Sequence, residues 1–230
     1  MRSETPILEL AMAVVEPELD LAINVPLSLR LQPGECALVE AADSRELAIF
    51  ADLCSGLIEP RSGEVRFLGR DWQELPDDYT AAMRGRIGRV FTSGAWVPFL
   101  GVQTNILLPL PHHTRQDRDD LRREALALAQ QFGLPGLPLD RPGDLSPADL
   151  DRAALVRAFL GEPLLVLVED QSGMSVRFSS AVFNAIAATC DRGGAVVWLA
   201  RERTIRGAAF PASQHLRLSN QGLALLRAAA

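Results

Sequence analysis

The chain has 230 residues, 48% of them hydrophobic, and a formal net charge of -6. That is enough material for one domain with a substantial core, and the acidic balance argues against nucleic acid or anionic headgroups as the main partner. The N-terminal MRSETPILEL lacks a signal-peptide pattern, and no apolar run approaches the ~20 residues of a membrane span.

Residues 7–31 alternate apolar and polar, which predicts two antiparallel strands joined near Glu16-Pro17-Glu18. Cys36 to Val39 reads as a short buried strand. Ser44 to Leu57 then reads as a helix capped by Ser44, with Leu47, Ile49, Phe50, Leu53, Cys54 and Leu57 near one face. Gly56 and Pro60 to Gly63 supply turn chemistry, and Glu64 to Phe67 alternates as a half-buried strand. Asp71 to Met83 reads as a polar loop with a short helix, and Arg86 to Phe91 as a strand.

Trp96, Val97, Phe99 and Leu100 follow as an apolar cluster, either core or a partly exposed groove for another protein. His112 and His113 are adjacent, not at metal spacing, and read as loop residues. Thr114 to Phe132 is an amphipathic helix with a charged face, and the Pro/Gly-rich stretch from Gly133 to Gly143 is a connection. Ser146-Pro147-Ala148-Asp149 has the form of a helix-capping box with proline at the first helical position. Leu164 to Asp170 is a buried parallel strand ending in two carboxylates, and Ala195 to Leu199 a further core strand. The tail reads as a hairpin with His215 in a structural place. Cys36, Cys54 and Cys190 lack metal spacing and read as buried thiols of a reducing compartment; no metal site is expected.

The PGE at Pro33 to Glu35 and the GLIEPRSGEV from Gly56 to Val65 resemble the start of an ATP-binding-cassette (ABC) transporter ATPase. The resemblance runs from about residue 7 to 227. It implies an α/β P-loop NTPase-like core with a mainly parallel sheet, an N-terminal antiparallel β-subdomain and an inserted helical subdomain. The whole of 1–230 would be one such domain, with the β-subdomain and RecA-like core at about 1–95 and 162–230 and the helical subdomain at about 96–161. Ser93 to Ala95 and the LPLPHHT at Leu108 to Thr114 are similar to the ATPases of mammalian-cell-entry (MCE, or Mla-type) lipid transport systems.

The framework is similar to the family's, but the chemistry at its site positions is not. Ala41 to Ala48 stands where the family has its phosphate loop, G-x-x-x-x-G-K-[ST]. Such a loop needs glycines to aim backbone N–H groups at the phosphates, a lysine to reach them and a hydroxyl for Mg²⁺. Here Ala41 and Glu46 fill the glycine positions, Leu47 the lysine position and Ala48 the hydroxyl position, and all 23 basic residues of the chain are arginine. No aromatic precedes Phe50, so the family's adenine-stacking residue lacks an equivalent. Thr92 stands at the glutamine that senses Mg²⁺, Pro147 and Ala148 at two signature glycines, and Arg201 at the switch histidine. Glu169 and Asp170 reverse the family's Asp-Glu order. Ser44, Arg45 and Ser146 are the remaining candidates for touching a nucleotide.

Besides a regulator detached from any transporter, two readings stay open at this point. One is a catalytically degenerate subunit without a nucleotide cofactor of its own, meeting ATP and Mg²⁺ only through a partner if at all. It would sit on the cytoplasmic face of a bacterial inner membrane with a permease, an active ATPase or a second copy of itself, and an MCE-domain protein. The other is a weak or atypical ATPase using Arg45 with Glu169 and Asp170.

Overall fold

The computed structural model describes residues 5–16, 25–92, 94–108, 117–170, 173–202 and 210–228. Pro17 and Glu18 of the expected N-terminal turn, His112, His113 and the expected helix start at Thr114 lie outside the described residues.

Two sheets carry the architecture. The smaller is antiparallel and built from β1 (Leu8–Val14), β2 (Leu27–Leu31), β4 (Ser62–Phe67) and β5 (Arg70–Asp71), in the order β2-β1-β4-β5. The larger has β3 (Cys36–Ala41), β6 (Ile87–Val90), β7 (Leu165–Asp170), β8 (Ala195–Arg201), β9 (Gln214–Ser219) and β10 (Gly222–Ala228), in the order β10-β9-β3-β8-β7-β6. Its pairs from β9 to β6 are parallel, and β10 closes the edge as an antiparallel hairpin partner of β9.

The central strands β3, β7 and β8 are buried on both sides, which is why they read as continuous apolar runs. Period-two alternation then assigns residues to two cores. Leu38, Val166, Val168, Val196 and Trp198 face one core, and Ala37, Val39, Leu165, Leu167, Val197 and Leu199 face the other. The second core also receives α1 (Ser44–Cys54) and the small sheet. The first receives α3 (Val102–Leu107), α4 (Arg118–Gln131), α5 (Pro147–Phe159) and α7 (Ser179–Asp191), beside the short α6 (Met174–Arg177). A further helix, α2 (Asp77–Arg84), has no buried residue. In α4 the buried positions Leu121, Ala125 and Ala129 fall four apart, a single apolar stripe opposite the charged face.

Three boundaries differ from the sequence reading. The first helix ends at Cys54 rather than Leu57; Ser55 and Gly56 turn the chain, and Leu57 is exposed. The cap of that helix is Asp43, not Ser44: its carboxylate accepts a hydrogen bond from the Arg45 N–H. The charged helix begins at Arg118, where Asp117 caps it. In both caps a carboxylate placed before the first turn satisfies free N–H groups and complements the helix dipole.

Sheet and helices meet most tightly at Gly88. A Cβ built there would lie 1.7 Å from the Ala158 carbonyl oxygen, so β6 and α5 touch backbone to backbone. Gly88→Ala is therefore expected to cost about 3 kcal/mol or more, read as a fall of roughly 6 °C or more in Tm at this chain length.

Candidate functional site

The carboxyl ends of β3, β6, β7 and β8 lie side by side, and the residues singled out by sequence gather there. Only Ala42 and Asp43 separate β3 from α1. Ser44, Arg45 and Glu46 already form the first helical turn, and Leu47 and Ala48 continue it, with Leu47 buried. None of residues 41–48 has a positive φ. A phosphate-wrapping nest alternates right- and left-handed residues; this connection is instead a tight strand-to-helix turn. Alanine, serine and glutamate favour helix over the extended loop that glycines permit.

The turn is closed by its own charges. Arg45 lies over Asp43, donating from Nε at 3.1 Å and from Nη2 at 2.9 Å. These bonds hold the Asp43 carboxyl below its ordinary range. Glu46 completes the capping box by accepting from the Asp43 N–H. Burial, and then the Asp43 charge, push its carboxyl above the usual value.

The two acids at the end of β7 point to opposite faces of the sheet, as neighbours on a strand must. Glu169 faces α1. Its Oε1 is 2.9 Å from Arg89 Nε and 2.7 Å from Arg89 Nη2, and its Oε2 accepts from the Thr92 N–H at 3.2 Å and from Thr92 Oγ1 at 2.7 Å. Asp170 faces the other core, fully buried, accepting from the Met174 N–H at 2.6 Å and from Trp198 Nε1 at 3.1 Å. The strand-end pair is thus divided between an arginine on one face and the start of α6 on the other. Arg201 ends β8 in register with Ala41 and is exposed.

Sequence reasoning missed Arg89. Its place in RIGRVF suggests an outward residue of an edge strand, yet it is among the most buried charges of the molecule. Parity with the half-buried Ile87, which packs on the α1-side core, was the available signal.

At the other lip of the site, Ser146 caps α5. Its Oγ accepts from the Asp149 N–H at 3.2 Å and donates to Asp149 Oδ2 at 2.8 Å, and Arg152 bridges to Asp149 at 2.7 Å. Between this helix and the loop after β6 lies an open cleft of about 250 Å³, its walls including Thr92, Trp96, Pro147, Leu150 and Glu169. Among the described residues the cleft walls carry no cationic side chain.

The segment after Thr92 divides the apolar cluster. Trp96 packs under the Arg157 guanidinium, which lies 4.3 Å from the ring centroid and donates to the Gly94 and Ala95 carbonyls. Burial pushes Arg157 down to about 10. Val97 and Leu100 are half-buried, whereas Phe99 is 72% exposed. Leu139, 73% exposed, lies on the neighbouring segment, which bonds through the Pro138 and Asp140 carbonyls to the N–H groups of Gln103 and Val102. Asn105, unremarked in the sequence, holds the presenting loop. Its Oδ1 accepts from the Val97 N–H at 2.8 Å, and its Nδ2 lies 3.1–3.2 Å from the Val97, Leu100 and Gly101 carbonyls.

Comparison with known proteins decides the family. The ABC transporter family model matches residues 49–171, more than half of the chain. The chain belongs to the ABC transporter ATPase family. A macrolide export ATP-binding/permease protein, MacB of Sodalis glossinidius, is 28% identical over 178 residues, which is 76% of this chain and 27% of the relative. The chain thus spans about a quarter of that relative's length. MlaF, the intermembrane phospholipid transport ATP-binding protein of Haemophilus influenzae, is 27% identical over 66% of this chain and 57% of its own length. The fold matches the dimeric structure of MJ0796, a bacterial ABC transporter cassette, with a TM-score of 0.80 at 20% identity, over 96% of this chain and all of that one. The ABC cassette fold expected from sequence is the fold observed. Among the described residues no helix is long and apolar enough to cross a membrane, and no cluster of three or more His, Cys, Asp or Glu residues could hold a metal.

Two outcomes follow from this geometry. Glu46 has a folded pKa above its unfolded one, so its cost is absent below about pH 4, where both states are protonated, and present once pH exceeds the raised native value. Glu46→Gln should therefore melt higher than the parent at pH 7, with the gap closing toward about pH 4. Asn105→Ala strips partners from several backbone groups and should cost about 2 kcal/mol, read by thermal melting and by faster amide exchange over residues 97–101.

Proposed function

We propose that this ABC ATPase homologue is a structural or regulatory subunit that keeps the cassette scaffold and does not hydrolyse ATP at its own loop. The observation that carries this reading is the strand-to-helix turn at Ala41 to Ala48. Helix begins at Ser44, no residue takes the left-handed conformation, and two carboxylates stand where phosphate would approach. Further support comes from the residues around it. Leu47 and Ala48 offer neither ammonium nor hydroxyl, Arg45 is paired with Asp43, and Glu169 is paired with Arg89. These residues do not fit Mg-ATP.

What the scaffold offers instead is a surface. The exposed Phe99 on the Asn105-braced loop, with the exposed Leu139 on the neighbouring segment, would offer apolar surface to a helix of a membrane permease. The subunit would dock there from the cytoplasmic face of a bacterial inner membrane. It would pair, as the MJ0796 cassette does in its dimer, with an active ATPase or with a second copy of itself. The similarity to MlaF supports a lipid transport system, in which an MCE-domain protein would be a further component.

The test is purification of a tagged copy from its native membranes in mild detergent, with the bound subunits identified by mass spectrometry. A permease and an ATPase with an intact phosphate loop should accompany the parent, and Phe99→Asp should shed the permease. In parallel, calorimetry of the purified chain with Mg-ATP should give no binding isotherm. Tight binding abolished by Arg45→Ala would replace this reading with the atypical ATPase.

A further inference from the structure

The tie between Arg89 and Glu169 belongs to a larger junction. The Arg89 side chain rises from β6 beneath α1. Its Nη1 lies 2.7 Å from Asp52 Oδ1 and 3.2 Å from Ser55 Oγ, and its Nη2 lies 3.4 Å from the Ala48 carbonyl oxygen. Nε and Nη2 hold Glu169, whose other oxygen takes the backbone and hydroxyl of Thr92. The Phe91 ring covers the guanidinium at 4.4 Å. One cation thereby joins three elements: α1 through Ala48, Asp52 and Ser55, β7 through Glu169, and the exit of β6 through Thr92.

In P-loop NTPases the same three kinds of element are linked by a divalent cation that arrives with nucleotide, held by the loop hydroxyl and the strand-end acid. Such a link is made and broken with each ligand. A guanidinium stays charged at every physiological pH, and its planar fork serves several acceptors at once. We propose that Arg89 is a built-in, covalently held replacement for that cation, fixing α1, β7 and the loop after β6 in one arrangement that neither metal nor nucleotide alters. The Phe99-bearing loop begins three residues after Thr92 and includes Trp96, so the docking face is held constant as well. Among the described residues two acids meet the guanidinium: Glu169, almost fully buried, and Asp52, about one-third exposed.

This inference deepens the proposed function and rests on it only for the lack of a nucleotide-borne cation. Its test uses the purified full chain alone, so a failed co-purification leaves it standing, and its own failure leaves the partner assignment standing. Amide exchange by mass spectrometry should be the same for the parent with and without Mg-ATP over residues 48–55 and 91–101. Arg89→Met should accelerate exchange in both segments by at least about tenfold, as expected when one partner of a buried pair is removed. Arg89→Met with Glu169→Leu should recover most of that protection, since both charges leave together. Manganese titrated into the parent and followed by electron paramagnetic resonance should find no site at submillimolar concentration, whereas Arg89→Met should gain one that Glu169→Leu removes. If Arg89→Met does not fold, Arg89→Lys, which keeps the charge and loses the fork, should show the same acceleration in smaller measure. Unchanged exchange in the folded variant, or manganese bound by the parent and lost on Glu169→Leu, would overturn the proposal.

Discussion

A carboxylate buried at the end of a central strand must find a counter-charge, and in this molecule that single requirement shapes the whole carboxyl edge of the sheet. Glu169 sits on β7 with strands on both sides and α1 above it. Unpaired, its charge would face a desolvation penalty of several kcal/mol. Arg89 answers from the adjacent strand, and because a guanidinium has five donors it also binds Asp52, Ser55 and Ala48 on the helix. The edge that holds ligands in open α/β sheets is here internally bonded. Hydrogen bonds that would otherwise await a visitor are made by residues of the chain itself.

The connection above this junction follows the same logic. A phosphate loop is a costly conformation, kept because the anion repays it. Once its glycines are alanine and glutamate, the cheaper solution is an early helix start with a carboxylate cap, and Asp43 and Glu46 supply both halves of the capping box. Arg45, the one cation near the loop in sequence, is drawn down onto Asp43. The signature region resolves in the same manner: Ser146 and Asp149 cap one another at the start of α5 with Pro147 at the first helical position. Both places are ordinary helix starts, capped by Asp43 and by Ser146.

Much of this was legible in sequence because it rests on local pattern. The runs CALV, LLVLVED and AVVWL specify doubly buried strands, and the spacing of Leu121, Ala125 and Ala129 specifies one helix face. The capping box at Ser146 is a four-residue signal that needs no tertiary partner. What escaped was long-range or one residue out of frame. Asp43 displaced Ser44 as cap because an aspartate one position earlier starts the helix sooner. Leu57 fell outside because Gly56, with φ +65° and the Trp72 ring against it, ends the helical path first. Arg89 could not be paired from sequence, since its acceptors lie up to 80 residues away. Asn105 is likewise invisible until the loop it braces is folded over it. The divergence of Glu169 and Asp170, by contrast, was implicit in strand parity alone.

The framework of the molecule and its carboxyl edge rest on different interactions. Parallel sheet, capped helices and the close β6–α5 approach at Gly88 set the shape and rest on packing within the chain. At the carboxyl edge of the sheet the charges are met within the chain instead, Glu169 by Arg89 and Asp43 by Arg45. Arg89 neutralises the acid, and Asp43 with Glu46 relaxes the loop. The exposed Phe99 and Leu139 remain outside this account, for burial would favour polar residues in their place on a protein that met only water. Phe99 stands on a loop that Asn105 and Arg157 hold in place, which is what the proposed docking role requires.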